Sequence, residues 1–263
     1  MPDSYLQCED VKREMIRTHP EWQLKKKNIN LFRKLRYDWI RTKGGFWEKV
    51  RTNTDAVAEW YKRQDSETLS EVREQLRDAR KFVFESGKKV LNSSTLKDWK
   101  GSRQNRITGK EVVLDAWRIQ SQLIWRNLLT RNTSARQWLG CELDLDFILY
   151  CDENGFLDFW DSKVRLESVP REWVRASVFG LQSERKVTDG SPTDSAIATH
   201  AIDVDFVASA DKNFVAMLNR IQDQAPFKTA HGVLIQAGSA GMDDLLKLVS
   251  SASVFANSPN TRH

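Results

Sequence analysis

The chain has 263 residues, 40% of them hydrophobic and 29% charged, and a formal net charge of +5. That is the composition of a globular protein with a real core, and it excludes a disordered or collagen-like chain. No apolar run approaches a bilayer span, MPDSYLQCEDVKREM lacks the apolar stretch of a secretory signal, and Cys8, Cys141 and Cys151 form no CxxC pair or zinc-site spacing. A reduced, intracellular (cytoplasmic) setting is the expectation.

Charge is unevenly placed. Residues 1–105 carry 24 Lys+Arg against 16 Asp+Glu, and residues 106–263 carry 17 against 20. A basic half beside an acidic half suggests an arm for a polyanion on a body that holds cations. Residues 1–105 read as all-helical. Val11 to Thr18 is a first short helix, stopped by His19-Pro20. Glu21 to Thr42 is a second, closed by Gly44-Gly45, with Ile29, Phe32, Leu35 and Trp39 at helical spacing. Lys25, Lys26, Lys27, Arg33, Lys34 and Arg36 fill much of its remainder and are the candidate phosphate-tracking surface. Phe46 to Gln64 is a third helix, and the capping box Thr68-Leu69-Ser70-Glu71 opens a fourth that ends at Gly87. Asn92 to Asn105 is polar and loop-like, which places a domain boundary at 105/106.

Lys110 to Thr130 is expected as a long helix with Val113, Trp117, Leu123, Ile124 and Leu128 facing a core and Glu111 in its first turn. Next comes CELDLDFILYCDENGFLDFWDSKVR, over 141–165. Apolar Leu143 to Cys151, then Asp152-Glu153-Asn154-Gly155, then Phe156 to Arg165 read as a β-hairpin, since Asn-Gly is a strong hairpin signal. Strand alternation puts Leu157, Phe159, Asp161 and Lys163 on one face and lets Asp146 approach from the other arm. Two carboxylates suit a hard divalent cation such as Mg²⁺, and a nearby lysine suits charge developing on a phosphate. Pro170 to Gln182 follows as a helix on which Arg171 and Arg175 could meet a phosphate, then a turn-rich loop at Lys186 to Ser195. Strands are expected at Ala201–Ser209 and Thr229–Gln236, with helices at Asp211–Gln224 and Gly241–Ser251.

Asp146 followed by Asp161-Ser162-Lys163 resembles the signature of the PD-(D/E)XK nuclease superfamily, although Leu145 stands where the family often has proline. The family also commonly carries a helical Glu ahead of its hairpin, which Glu111 matches in order. The resemblance implies a restriction-endonuclease-like α/β fold: a mixed β-sheet flanked by helices over 106–263, after the helical N-terminal region. It implies a Mg²⁺-dependent endonuclease on DNA, possibly a type II restriction enzyme acting as a homodimer. Asp146, Asp161 and Glu111 would be metal ligands, with Lys163 at the transition state.

A second segment, AIDVDFVASADKNFVAMLNRI, resembles the acidic strand-to-helix segment of PIN-like and NYN ribonucleases. Asp211 would there be the metal carboxylate, with Asp152, Asn154 and Asp194 as earlier members. A third reading, a nucleic-acid-binding or assembly protein without catalysis, rests on the basic half alone.

Overall fold

The structure is a computed structural model, which describes residues 3–35, 95–105, 108–131, 133–183 and 191–256 together with Ser70 and Glu74. The expected helix at 46–64 and Arg36 lie outside these residues, and of the one expected at 68–87 only Ser70 and Glu74, both helical, lie within them. The chain is mixed α/β and divides into two compact units, 1–199 and 200–263. The division expected at 105/106 falls within the first of them. No helix among the described residues is long and apolar enough to cross a membrane.

Helix α1, Asp3–Thr18, opens the first unit. Cys8, Val11 and Met15 recur at helical spacing and are buried. Pro20, which has no N–H and fixes its own φ, ends α1 and starts a single 3₁₀ turn, Pro20–Trp22. The chain then runs without regular structure to Asn28, whose Oδ1 accepts from Leu31 N at 3.0 Å and caps a helix over 29–35. The helix expected from Glu21 therefore starts later, because residues 23–28 are held elsewhere: Leu24 N and Asn28 N donate to the carbonyls of Glu142 and Cys141.

Strands β1, Lys100–Gln104, and β2, Glu111–Asp115, form an antiparallel pair with Lys100 opposite Asp115 and Gln104 opposite Glu111. The stretch expected as a boundary loop thus carries a strand, and the helix expected from Lys110 begins only at Ala116. That helix, α2, is Ala116–Thr130. Its buried stripe is Trp117, Ser121, Trp125 and Leu129, each one turn from the last. Of the expected core positions only Trp117 is fully buried, since Val113 is 62% and Leu123 44% exposed. Helix α3, Ser134–Leu139, is capped by Thr133, whose side chain accepts from Arg136 N.

The segment expected as a hairpin is mainly helical, with only Leu143 in an isolated antiparallel bridge to Gln23. Phe147–Cys151 is a π turn, Glu153–Asp158 is helix α4, and Phe159–Lys163 is a second π turn. Asp152 is the physical reason. Its Oδ1 accepts from Gly155 N at 3.0 Å, so it caps a helix where Asn154-Gly155 would otherwise turn back. Gly155 serves here by its size: a Cβ on it would stand 2.2 Å from Asp152 Oδ2. Burial follows the helical period, with Phe156, Leu157, Phe159, Trp160 and Val164 inside. Arg118 of α2 donates to the Trp160 carbonyl at 2.9 Å and the Val164 carbonyl at 3.1 Å, satisfying groups at the end of the second π turn.

Aromatic rings join these pieces. His19 stacks on Trp22 at 4.0 Å and 9°, Trp22 meets Phe159 at 6.0 Å, and Phe159 meets Trp160 edge-on at 4.9 Å. Trp160 in turn reaches Trp125 at 6.1 Å. Helix α5, Pro170–Ser183, starts at the proline that the sequence marks, and α6, Ser191–Thr199, occupies part of the expected 186–195 loop.

Glu14 ties α1 to the rest of the unit. Its side chain is 2% exposed, Arg17 holds it at 2.7 Å, and Arg165 N donates to it at 2.9 Å. Burial works against its charge, but Arg17 and the Arg165 backbone outweigh that and hold its carboxyl below the usual 4.5. A carboxyl lowered on folding stabilises the protein above its unfolded value and loses that contribution as pH falls through the folded one. Glu14→Gln is therefore expected to cost about 2 kcal/mol at neutral pH. The gap from wild type should close in acid. Urea unfolding at neutral pH and at about pH 3 checks this; a gap independent of pH would exclude an ionised, stabilising Glu14.

In the second unit, strands β3, Phe206–Ser209, and β4, His231–Leu234, pair in parallel through helix α7, Lys212–Gln224. Phe214, Val215, Met217, Leu218 and Ile221 are the buried face of α7. Gly232 lets β4 approach it, because a Cβ there would meet the Val215 carbonyl at 2.9 Å. Helix α8, Ser239–Ala256, follows. Among the described residues the two sheets are each two-stranded, one antiparallel and one parallel, in place of the expected single mixed sheet.

Candidate functional site

The four residues of the nuclease-like signature stand on three elements, with Asp161 and Lys163 sharing the second π turn. Asp146 directly precedes the first π turn, where its side chain makes no capping bond, and pairs with Arg136 at 3.2 Å; its side chain is 76% exposed. Asp161 lies in the second π turn, where Arg103 of β1 binds its Oδ2. Its Oδ1 is buried without a hydrogen-bond partner. Lys163 is 3.7 Å from Asp158, five residues back on the same helical segment. Glu111 sits at the start of β2, opposite Gln104, and not in a helical first turn. Among the described residues Glu111, Asp146 and Asp161 do not form a group of carboxylates within 4.8 Å of one another. The convergence expected of them needed extended arms, and helical turns send neighbouring side chains round an axis instead.

The basic positions separate into two kinds. Lys25, Lys26, Lys27, Arg33 and Lys34 are all exposed, on the irregular stretch and the helix that follows it. Lys27 reaches Glu142 at 2.9 Å, and Lys12 meets the same carboxylate at 3.0 Å. Burial alone would raise the Glu142 carboxyl, yet hydrogen bonds from Lys27 and Lys12 outweigh it and hold it low. Arg171 pairs with Asp10 of α1 at 2.6 Å, and Arg175 grips Glu172, so both guanidinium groups are engaged by carboxylates of the first unit.

Asp211 caps α7 at the carboxyl end of β3. Its Oδ1 accepts from Asn213 N at 2.7 Å and Phe214 N at 3.0 Å. Its Oδ2 has no hydrogen-bond partner among the described residues, and the residue is exposed. Asp194 occupies the first turn of α6 in the first unit. Asp152 follows a π turn and not a strand, and it caps α4, so it lacks the strand-end setting of the ribonuclease reading.

Among the described residues one group of ligating side chains does converge. His19, Glu21 and Asp152 bring one donor atom each within 4.8 Å of the others. In the sequence His19-Pro20 signals only a helix stop, and Asp152 is over a hundred residues away. The one available hint was the His-x-Glu spacing beside a proline, which a single turn can present on one side.

No protein-family model matches this chain. Comparison with curated proteins and with solved structures also gives no match.

Proposed function

We propose that the chain is a metal-dependent phosphodiesterase acting on nucleic acid, with Asp211 as the carboxylate at its reacting centre. The observation that carries this reading is the parallel β3–α7–β4 unit. Open α/β sheets offer their ligands a place beyond the carboxyl ends of the strands, and Asp211 stands there. Its backbone bonds orient one oxygen and leave Oδ2 to solvent. An exposed carboxylate oxygen fits Mg²⁺, which binds through one or two carboxylates and keeps its remaining positions for water and substrate phosphate. Bound there, the ion would supply polarisation of the phosphodiester and a more acidic water. Lys25, Lys26, Lys27, Arg33 and Lys34 give the chain an exposed basic stretch for the polyanion.

The experiment is cleavage of RNA and of plasmid DNA with Mg²⁺ or EDTA, comparing wild type, Asp211→Asn and Asp161→Ala. Asparagine caps helices as well as aspartate, so Asp211→Asn keeps the fold. The expected result is Mg²⁺-dependent cleavage, reduced about 10²-fold or more in Asp211→Asn and retained in Asp161→Ala. The reverse pattern would move the centre to Asp161 and favour the restriction-endonuclease-like reading. A second reading, binding without cleavage, draws on the exposed basic stretch; salt-sensitive binding with no cleavage under any metal would establish it and overturn the first.

A further inference from the structure

We propose that His19, Glu21 and Asp152 form a binding site for a divalent first-row transition ion, with Zn²⁺ as its natural probe. Pro20 stops α1 and turns the chain through Pro20–Trp22, which brings His19 and Glu21 to one side; Nδ1 and Oε1 are 2.9 Å apart. Asp152 arrives from the N-cap of α4. Donors around a tetrahedral ion at about 2.0–2.2 Å stand about 3.5 Å apart. The three donors here are within 4.8 Å of one another before any ion draws them together.

The surroundings hold two of the three ligands in place. Trp22, fully buried, stacks on the His19 ring and donates its indole N–H to Asp152 Oδ2 at 2.8 Å. Gly155 N holds the other oxygen of Asp152. Outer hydrogen bonds of this kind orient metal ligands and sharpen their affinity. His19 Nε2 is buried and has no hydrogen-bond partner, so the ring retains an unused nitrogen even while Nδ1 faces Glu21. One imidazole with two carboxylates suits ions of borderline softness better than Mg²⁺, which prefers oxygen alone. Three protein ligands leave a position for water. The site would also fasten the end of α1 to the start of α4, and an ion that binds only the folded chain stabilises it. This inference is independent of Asp211 and of any cleavage.

The test is calorimetric titration of the metal-free, untagged chain with Zn²⁺, beside Glu21→Ala, His19→Gln and Cys151→Ser. Glu21 is 52% exposed, so Glu21→Ala keeps the fold even where His19→Gln disturbs the stacked pair. The expected result is one equivalent of Zn²⁺ on wild type and on Cys151→Ser, with affinity reduced about 10-fold or more in Glu21→Ala. A rise in the wild-type melting temperature with Zn²⁺, absent in Glu21→Ala, should accompany it. No stoichiometric binding by wild type, binding lost in Cys151→Ser, or binding unchanged in Glu21→Ala would each overturn the proposal.

Discussion

Trp22→Ala is expected to lower the unfolding free energy by about 4 kcal/mol. The side chain is fully buried, so the change removes a large apolar surface and leaves a cavity that helical neighbours fill only in part. It also removes the stacking partner of His19, the ring against Phe159 and the indole donor to Asp152. Trp22→Phe separates these contributions. It keeps a ring but not the donor, and should cost about 1–3 kcal/mol, the penalty of a carboxylate oxygen that loses its partner. Urea titration of both variants checks the order. Equal effects would mean that the hydrogen bond to Asp152 dominates; a loss in Trp22→Ala under about 1 kcal/mol would mean that the site collapses without a cavity.

Arg175→Ala should be comparably severe, at about 3–5 kcal/mol. Glu172 is buried, its side chain 1% exposed, and Arg175 donates from Nε and Nη2 to its two carboxylate oxygens. Removing the cation takes a charged partner from a buried carboxylate, which costs more than the pair contributes. The double change Glu172→Leu with Arg175→Met removes both charges at similar volume and should recover most of the stability. The thiol of Cys8 lies in the same field. Burial pushes it up to about 12, Glu172 adds to that and Arg175 opposes it. If Arg175→Ala is instead stable but weakens nucleic-acid binding, the residue belongs to a phosphate surface after all.

Much of the fold was legible where a single residue dictates the local outcome. Pro20 ends α1 and Pro170 starts α5, and both act through the missing N–H and the fixed φ. Asp211 announces α7 by its capping side chain, and the flanking apolar runs become the parallel strands. The segment 143–165 was not legible, because short apolar runs have no period that separates strand from helix. Asn154-Gly155 tipped the reading toward a hairpin, whereas Asp152, two residues earlier, decides the helix by taking Gly155 N. The candidate sites divide along the same line. Asp211 was named from its own neighbourhood in the chain. His19, Glu21 and Asp152 meet only because Trp22 docks against a helix far along the sequence, and no spacing records that.

The two π turns set which changes in chain length this protein tolerates. A π turn holds one residue more than the α-helical turn it replaces. Deleting a residue from Phe159–Lys163 lets the backbone close as ordinary helix while Phe156 and Val164 keep their facing. The same deletion inside α2 would rotate every later residue by about 100° and turn Trp125 and Leu129 out of the core. Insertions and deletions in relatives of this chain are therefore expected at 147–151 and 159–163, with the tryptophan-bearing helix between Ala116 and Thr130 constant in length.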